Sequence, residues 1–443
     1  MSWDVIVVGA RCAGSPLARF LARAGKRVLL VDSATFPSDQ PLSTHFIQPY
    51  GMEVLDELGL GDRVRAIAPP VTTMAQFVGA AQVRFHLPAG GCCPRRTELD
   101  QLLLDGAREA GAEARLGHRV IDLLREGSRV VGVVAQDRDG GKHELRAALV
   151  VGADGRNSTI GDLVGAEKYF NYESPRGAYW AYYPRPAWYA DPPYDGATYV
   201  AFYEDQFRLS FPVNRDQLVV GVGFPSGEAE QWKADPRAAM EAALRTEPFF
   251  ARLIDGNEPI GKLLGFVKLE YFFREAAGPG WALVGDAGLH KDPTAGFGIT
   301  DALRDARALS AAILEGGDAA LECYWRQRDV DSFELFNLAR DMGELDYNNP
   351  LNQLVFTKIA GSQDLHDRMV RVINRELSPY AAIKPTEIIR WTLGALVRGK
   401  LGVFRPFMRA GKRQAEVAKE LEQRRVLLAA ALRSRSNSER VAA

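Results

Sequence analysis

Three glycine-containing turns, each directly after an apolar run, lie far apart in this chain. They fall in residues 5–15 (VIVVGARCAGS), 150–159 (VVGADGRNST) and 281–302 (WALVGDAGLHKDPTAGFGITDA). A short apolar run that ends in a glycine turn is typical of a strand that enters a helix or loop. Several such units predict a parallel sheet flanked by helices, which is an α/β fold of the Rossmann type.

The first turn has the features of a site for the diphosphate of an adenine dinucleotide. Gly9 and Gly14 precede a helical pattern, so the turn directs backbone N–H groups and the helix dipole toward an anion. The second strand, residues 27–31, ends in Asp32, where a carboxylate can accept hydrogen bonds from ribose hydroxyls. Arg11 stands where a second glycine is usual. The turn still predicts an adenine dinucleotide cofactor.

The other two turns extend this prediction to FAD. One carries Asp154 and Gly155, and the other carries Gly285 and Asp286 before a glycine-spaced loop and a helical pattern. A flavin needs this second anchor, because its ribityl hydroxyls require a carboxylate and its ring system requires N–H donors at a helix start. The cofactor-binding residues predicted from the three turns and the second strand are Gly9, Arg11, Cys12, Ala13, Gly14, Asp32, Ser33, Asp154, Gly155, Gly285, Asp286, Pro293, Gly296, Gly298 and Ile299.

Together these motifs resemble the class A FAD-dependent monooxygenases, the para-hydroxybenzoate hydroxylase superfamily, with its relatives the geranylgeranyl reductases and flavin-dependent halogenases. The resemblance covers roughly the first three quarters of the chain. A fourth family feature is Arg96, three residues before Leu99 at the head of an amphipathic helix. The resemblance implies that Arg96 contacts the flavin side of the cofactor. It also implies transient docking of NADH or NADPH, followed by oxygen transfer to substrate through a flavin hydroperoxide.

Three interpretations of function remain open. The first is an NAD(P)H-dependent monooxygenase that uses O2 to hydroxylate or epoxidise a hydrophobic, aromatic or polycyclic small molecule. The second is a reductase or dehydrogenase of the geranylgeranyl reductase type, because residues 36–44 (FPSDQPLST) resemble the loop after the second strand in that group. The third is a flavin-binding protein without catalysis. A halogenase is disfavoured, because the Trp-x-Trp-x-Ile-Pro segment that marks many halogenases does not occur.

Candidate catalytic residues are polar groups in the loops that the resemblance places near the flavin. His45 in residues 42–48 (LSTHFIQ) and His290 and Asp292 before Pro293 are the candidates for handling a substrate proton. Twelve aromatic residues crowd residues 179–211, which indicates a hydrophobic substrate pocket or an aromatic core. From that set, the predicted substrate residues are Tyr179, Tyr199, Tyr203 and Phe211.

The pattern along the chain predicts two domains and an appendage. We expect a discontinuous Rossmann-like FAD-binding domain in residues 1–70, 96–168 and 275–345. An inserted α+β substrate domain with a mixed or antiparallel sheet should comprise residues 71–95 and 169–274. Residues 346–443 should form a helical C-terminal extension, and from Trp391 to the end they hold twelve Lys or Arg against four Asp or Glu.

Composition agrees with a large globular enzyme. The 443 residues are 47% hydrophobic and 25% charged, and a formal net charge of −1 gives no general attraction to nucleic acid. The four cysteines have neither disulfide-framework nor metal-site spacing, so no metal site is predicted. No apolar run approaches the ~20 residues of a membrane span, and no signal peptide is recognised. We expect a cytoplasmic protein, with a homodimer among the open oligomeric states.

Overall fold

A computed structural model describes residues 2–38, 43–214 and 216–442 of the chain. Over these residues the protein is a mixed α/β structure with three β-sheets and fifteen α-helices. The strands are β1 (Trp3–Val8), β2 (Val28–Asp32), β3 (Pro70–Val78), β4 (Ala81–Cys92), β5 (Glu113–Leu116), β6 (Arg119–Glu126), β7 (Arg129–Gln136), β8 (Lys142–Gly152), β9 (Lys168–Glu173), β10 (Arg176–Pro184), β11 (Ala197–Tyr203), β12 (Gln206–Val213), β13 (Gln217–Pro225), β14 (Ile260–Phe266), β15 (Glu270–Arg274), β16 (Ala277–Gly278), β17 (Trp281–Leu283) and β18 (Leu289–His290). The helices are α1 (Gly14–Arg23), α2 (Pro49–Glu57), α3 (Gly61–Ile67), α4 (Arg96–Glu109), α5 (Thr159–Leu163), α6 (Ala229–Ala234), α7 (Pro236–Arg245), α8 (Pro248–Ile254), α9 (Gly298–Glu315), α10 (Asp318–Gly343), α11 (Pro350–Ala360), α12 (Gln363–Ile373), α13 (Pro379–Ala382), α14 (Pro385–Val397) and α15 (Phe404–Ala442).

The first sheet has a parallel core in the order β17-β8-β1-β2-β5, with β16 beside β17 and the pair β6 and β7 joined through β8. Its central strands are apolar on both faces: Val5 and Val7 pack with helices α1, α4 and α9, and Ile6 and Val8 pack with the opposite core. Strands covered on both sides require such continuous apolar runs. All five core strands point the same way, so the turns after them meet at one edge.

The second sheet has the order β14-β10-β13-β12-β11-β3-β4. Neighbouring strands in this sheet are antiparallel, except that β11 and β3 run parallel. The sheet is therefore mixed, as predicted. Helices α6, α7 and α8 cover one face, and the other face contributes to the core that holds Phe46, Phe297 and residues of α10 and α11. A three-stranded sheet in the order β18-β15-β9 connects the two larger sheets.

The C-terminal region is helical, as predicted, and packs on the rest of the protein. Val417 and Leu421 of α15 join Phe333 and Phe336 of α10 in one buried cluster. Helix α15 runs on to Ala442, and no proline or glycine after Gly411 interrupts it. Together with the first two sheets, this region confirms the predicted fold class. In the described part of the chain, no helix is both long and apolar enough to cross a membrane.

Candidate functional site

A cleft of about 580 Å³ lies at the carboxyl edge of the parallel sheet. The turns after β1, β8 and β17 and the end of β2 form its walls, because parallel strands bring their carboxyl ends to the same edge. The predicted cofactor-binding residues that line it are Gly9, Arg11, Cys12, Ala13, Asp32, Ser33, Arg96, Asp154, Gly155, Gly285, Asp286, Pro293, Gly296, Gly298 and Ile299. The site therefore collects residues that are separated by more than 280 positions in the chain.

Two glycines allow the tight turn after β1. Gly9 has φ +103°, and a Cβ atom there would lie 2.3 Å from the carbonyl oxygen of Ala153. Gly14 does not line the cleft, but a Cβ atom at Gly14 would lie 1.8 Å from the carbonyl oxygen of Gly9. Any side chain at either position would collide with backbone, so the two glycines fix how close α1 lies to the cleft.

The helices α1 and α9 both begin at this cleft. Ala13 and Ile299 line the cleft beside the start of each helix, and no side chain of the described residues caps either end. Uncapped helix N-termini bind anions and electron-rich groups through their N–H groups and the helix dipole. One helix start therefore fits a diphosphate, and the other fits the hydrogen-bond acceptor atoms of a flavin ring, which are both present in FAD.

Asp32 is held in place by the backbone around it. Its Oδ2 atom accepts a hydrogen bond of 2.8 Å from the Ala10 N–H group, and its Oδ1 atom accepts one of 2.8 Å from the Ala34 N–H group. A carboxylate has room for further hydrogen bonds on each oxygen. Asp32 is thus oriented at the end of the cleft where a ribose would bind.

Arg11 and Arg96 share one buried carboxylate that the sequence analysis missed. Arg96 forms two hydrogen bonds of 2.9 Å with Asp100, and the Arg11 Nη1 atom lies 2.7 Å from the same carboxylate. The Cys12 thiol donates a 3.3 Å hydrogen bond to Asp100. Two cations and one anion leave a net positive charge beside the cleft, which favours a diphosphate. The one sequence signal was the spacing of Asp100, four residues after Arg96 on α4.

Asp286 and His290 lie side by side in the lining of the cleft. The Asp286 Oδ2 atom lies 3.3 Å from the His290 Nδ1 atom, and the open cleft leaves 46% of the Asp286 side chain exposed. Burial by itself would raise the pKa of Asp286, but His290, Lys291 and Arg96 outweigh it and lower the pKa below its usual value. Asp286 is therefore an anion that can accept hydrogen bonds in the cleft. Asp154, in contrast, accepts hydrogen bonds from its own loop, from Ser158 and Ile160.

A second, smaller cavity of about 50 Å³ adjoins the cleft. The residues common to both linings are Ser43, Thr44, Asp292 and Pro293. Its apolar lining comes from the second sheet and consists of Ala178, Trp180, Phe207, Leu209, Val219 and Phe266. An apolar cavity with few polar groups beside a cofactor cleft is the usual form of a small-molecule site.

Asp292 is the ionisable residue between the cleft and the small cavity. It is buried, and its Oδ1 atom accepts a 2.9 Å hydrogen bond from the Thr294 N–H group. Burial raises the pKa of Asp292 above its usual value, against the hydrogen bonds from Thr294. A carboxyl group with a raised pKa keeps its proton to a higher pH than an ordinary carboxyl group.

The structure does not bring His45 to either cavity. Its side chain is fully buried, and the Nε2 atom lies 2.7 Å from the Tyr182 hydroxyl oxygen. Burial, followed by the charges of Arg96 and Arg95, lowers the pKa of His45 to about 3. The neighbouring residues Ser43 and Thr44 line both cavities instead. The burial of His45 and its contact with Tyr182 thus suit a role in positioning the loop that carries Ser43 and Thr44.

The four predicted substrate residues also lie away from the two cavities. Tyr179 packs on Phe224 and Trp232, and Tyr199 packs on Phe249, under the helices that cover the outer face of the second sheet. Tyr203 stacks on the Arg208 guanidinium, and Phe211 packs on Phe46. For Tyr179, strand alternation is the reason that it does not line the small cavity. Adjacent residues face opposite sides of a sheet, so Trp180 faces the cavity and Tyr179 does not.

A second buried carboxylate cluster was also missed. Asp301, at the start of α9, lies 2.6 Å from Lys291, 3.4 Å from Arg304 and 2.9 Å from Arg375, which follows α12. Burial would raise the pKa of Asp301, but Arg375, Lys291 and Arg304 hold it well below its usual range. The helical C-terminal region thus reaches the wall of the cleft. Sequence distance hid this contact, because 74 residues separate the partners.

Another group that the sequence did not indicate lies at the Asp32 end of the cleft. Potential ligand atoms of His118, Asp137 and His143 lie within 4.8 Å of one another, and His118 lines the cleft. The His118 Nδ1 atom contacts the Leu116 carbonyl oxygen at 2.9 Å, and His143 lies 2.7 Å from Asp137. The pairing of neighbouring strands, rather than the spacing of the residues in the chain, brings these three side chains together.

Comparison with known proteins shows the relationships of this architecture. A family model described as FAD binding domain matches residues 2–330. Menaquinone reductase of Mycobacterium tuberculosis is 30% identical over 345 residues, which are 72% of this chain and 78% of that protein. The flavin-dependent brominase Bmp2 has a similar fold, with a TM-score of 0.75 and 20% identity, over 90% of this chain and 100% of the brominase. An aklavinone-11 hydroxylase with bound FAD and aklavinone has a TM-score of 0.65 and 23% identity, over 78% of this chain and 70% of the hydroxylase.

Proposed function

Because the chain belongs to the FAD-binding domain family and is an oxidoreductase of that family, we propose that it is a monooxygenase that oxygenates a hydrophobic small molecule. FAD, when bound, supplies the redox chemistry by accepting electrons from a reductant and passing them to O2 or to an organic substrate. The residues of the chain bind the cofactor, orient the substrate and exclude water. We further propose NADH or NADPH as the transient reductant and the cytoplasm as the location.

The observation that carries this proposal is the apolar cavity beside the cleft. Trp180, Phe207 and Phe266 close it on the side of the second sheet, and Pro293 separates it from the cleft. Oxygen transfer from a reduced flavin requires a site from which water is excluded, because water promotes loss of the activated oxygen. An apolar wall also selects an electron-rich ring or a double bond over a polar substrate. The volume of about 50 Å³ accommodates only the reacting end of a larger molecule.

We propose Asp292 as the residue that holds the substrate proton in this reaction. It lies at the junction of the cleft and the cavity, and burial raises its pKa, which favours the protonated form. His290 is a second candidate, because it lines the cleft beside Asp286. In an Asp292→Asn variant the amide oxygen still accepts the Thr294 hydrogen bond, but the side chain no longer titrates.

A second candidate function is the reduction of a hydrophobic substrate without O2. Its support is the similarity to menaquinone reductase of Mycobacterium tuberculosis, at 30% identity over most of both chains. The same apolar cavity would accept the reacting end of such a substrate. In that case the electrons pass from the flavin to the substrate rather than to O2.

One experiment distinguishes these functions. The FAD-loaded protein is reduced with NADH or NADPH without oxygen, a quinone or an aromatic or polycyclic compound is added, and air is then admitted. A monooxygenase forms product only after air enters, and the product contains an oxygen atom from labelled O2. A reductase oxidises its flavin and forms product before air enters. Asp292→Asn should keep FAD and flavin reduction but lose about 10²–10⁴-fold in product formation. Absence of product from both phases with every compound would contradict the proposed functions.

A further inference from the structure

An apolar surface is concentrated in one short part of the helical C-terminal region. Among the described residues, ten large hydrophobic side chains are exposed, and six of them lie within residues 389–408. Those six are Ile389, Leu393, Val397, Leu401, Phe404 and Met408. Val397 and Leu401 are the most exposed, at 89% and 74%. Single exposed apolar residues are normal, but a contiguous group indicates an interaction surface.

These side chains form a stripe on folded helices. Ile389, Leu393 and Val397 are spaced by four residues along α14, which places them on one face. Trp391 and Ala395 lie on the opposite face and are buried. Leu401 begins the short 3₁₀ turn Leu401–Val403, which connects α14 with α15. The stripe is therefore the outer face of a packed helix pair, with the loop around Gly399 at its tip.

The same segment is strongly basic. Residues 389–415 contain seven Lys or Arg and no Asp or Glu, whereas the whole chain has a formal net charge of −1. Arg409 and Arg413 form ion pairs with Asp346 and Asp341. Four of the other basic residues have no ion pair within 4 Å to any described residue. They are Arg390, Arg398, Lys400 and Arg405. Cations flank the most exposed apolar side chains on both sides of the tip.

We propose that residues 389–408 dock the protein peripherally on an anionic membrane surface. Val397 and Leu401 enter the boundary between headgroups and acyl chains, and Arg398 and Lys400 lie at the level of the anionic headgroups. Surface-bound amphipathic helices bind by this combination of buried apolar area and attraction to anionic lipid. A contact between two proteins would show a different pattern, because charged residues are depleted from the apolar centre of such an interface. This surface lies outside residues 2–330, so the family match does not account for it.

Flotation of the full-length FAD-loaded protein with vesicles tests the proposal. The protein should float with vesicles of phosphatidylcholine and phosphatidylglycerol at low salt, and much less with pure phosphatidylcholine or at high salt. A Val397→Ser, Leu401→Ser double variant should lower the bound fraction at limiting lipid by about tenfold or more. An Arg398→Gln, Lys400→Gln double variant should lower binding to the anionic vesicles by about tenfold or more.

The matched control is Val426→Ser with Leu427→Ser, because both residues are exposed apolar side chains of α15 outside this segment. This control should bind vesicles like the parent, and all variants should melt like the parent. Absence of parent binding to anionic vesicles at low salt would overturn the proposal. Equal losses in the control and in the Val397 and Leu401 variant would also overturn it. If that variant instead converts a parent dimer to a monomer in sedimentation and leaves vesicle binding unchanged, the segment is a contact between two copies and the proposal is wrong.

Discussion

Two buried carboxylates beside the cleft, Asp100 and Asp301, each lie between cations from separate parts of the chain, and a third carboxylate, Asp286, is partly exposed. Asp100 is shared by Arg11 and Arg96, Asp301 is surrounded by Lys291, Arg304 and Arg375, and Asp286 pairs with His290. Charges removed from water are costly unless they are paired in this way. Asp286 differs from the other two, because it has one close partner and still opens on the cleft. It is therefore the carboxylate that is available to a ligand.

Replacement of Asp286 tests this availability. Asp286→Ala should weaken FAD binding by about tenfold or more, because a charge-assisted hydrogen bond contributes about 1.5–3 kcal/mol and each ~1.4 kcal/mol is a factor of ten. The fold should persist, since this side chain is 46% exposed in the cleft. Fluorescence titration of the apoprotein with FAD measures the affinity, and circular dichroism checks the fold. An affinity equal to that of the parent would show that Asp286 does not hold the cofactor.

As the pH falls, protonation of His45 should lower the stability of the folded protein rather than change catalysis. Its pKa is lowered to about 3 in the folded protein, against ~6.5 in an unfolded chain, so the unfolded state binds more protons between these values. The contribution of His45 to stability is therefore present above pH ~6.5 and is lost as the pH falls toward 3, by up to ~1.4 kcal/mol per pH unit. His45→Gln should reduce this slope in urea unfolding between pH 6.5 and 5. The exposed His86→Gln variant is the control, and an unchanged slope in His45→Gln would refute the prediction.

At the scale of elements, the start of α9 depends on a residue from the C-terminal helices. Arg375 follows α12, lies 2.9 Å from Asp301 and stacks over Phe297 with 4.3 Å to the ring centre. Gly298 and Ile299, which line the cleft, lie between Phe297 and Asp301. The helical region therefore holds the helix start that we assign to the flavin ring. Truncation of that region would disturb the cofactor site, although most cofactor-binding residues lie before residue 300.

Arg375→Met should therefore destabilise the protein and weaken FAD binding together. Removal of one partner from a buried ion pair costs about 3–5 kcal/mol, and the remaining contacts of Asp301 with Lys291 and Arg304 reduce this cost. Arg371→Met is the matched control four residues earlier, near the end of α12, because the pair of Arg371 and Glu376 is exposed and contributes about 0–1 kcal/mol. Urea unfolding and FAD titration measure both effects. Equal stability losses in the two variants would argue against a special role for Arg375.

At the scale of the whole molecule, the cofactor cleft is lined by elements that are far apart in the chain. Asp32 lies at one end of the cleft, and Gly298 and Ile299 lie at the start of α9. A ligand that contacts both ends stabilises the folded protein, because it binds the native state and not the unfolded chain. FMN lacks the adenosine part that would contact Asp32.

Thermal unfolding with the two flavins tests this arrangement. Purified protein should be yellow and should release FAD on heating. For the apoprotein, FAD at about 100 times its dissociation constant should add ~2.7 kcal/mol of stability and raise the melting temperature by several degrees. FMN at the same concentration should raise it much less. An equal shift with FMN would show that the adenosine end of the cleft does not contribute to binding.

The cofactor cleft was largely predictable, because its motifs are local. Each strand and glycine turn is read from fewer than twenty-five consecutive residues, and parallel pairing then brings the strand ends to one edge. Gly14 is the one predicted cofactor residue outside the lining, although it serves the same turn. The mixed sheet and the helical C-terminal region also followed from local patterns. The sequence by itself thus determined the fold class and the position of the cofactor cleft.

Only the tertiary structure decided which side chains face the substrate cavity. Strand β10 is buried on both faces, so its sequence lacks the alternation that would distinguish Trp180 from Tyr179. The burial of His45 against Tyr182 and the contact of Arg375 with Asp301 depend on packing between elements 137 and 74 residues apart. A sequence pattern reports the periodicity of one element, whereas these contacts depend on how two elements are placed relative to each other. For that reason the cofactor site was predictable from motifs, but the residues that line the substrate cavity could be identified only once the sheets and helices were assembled.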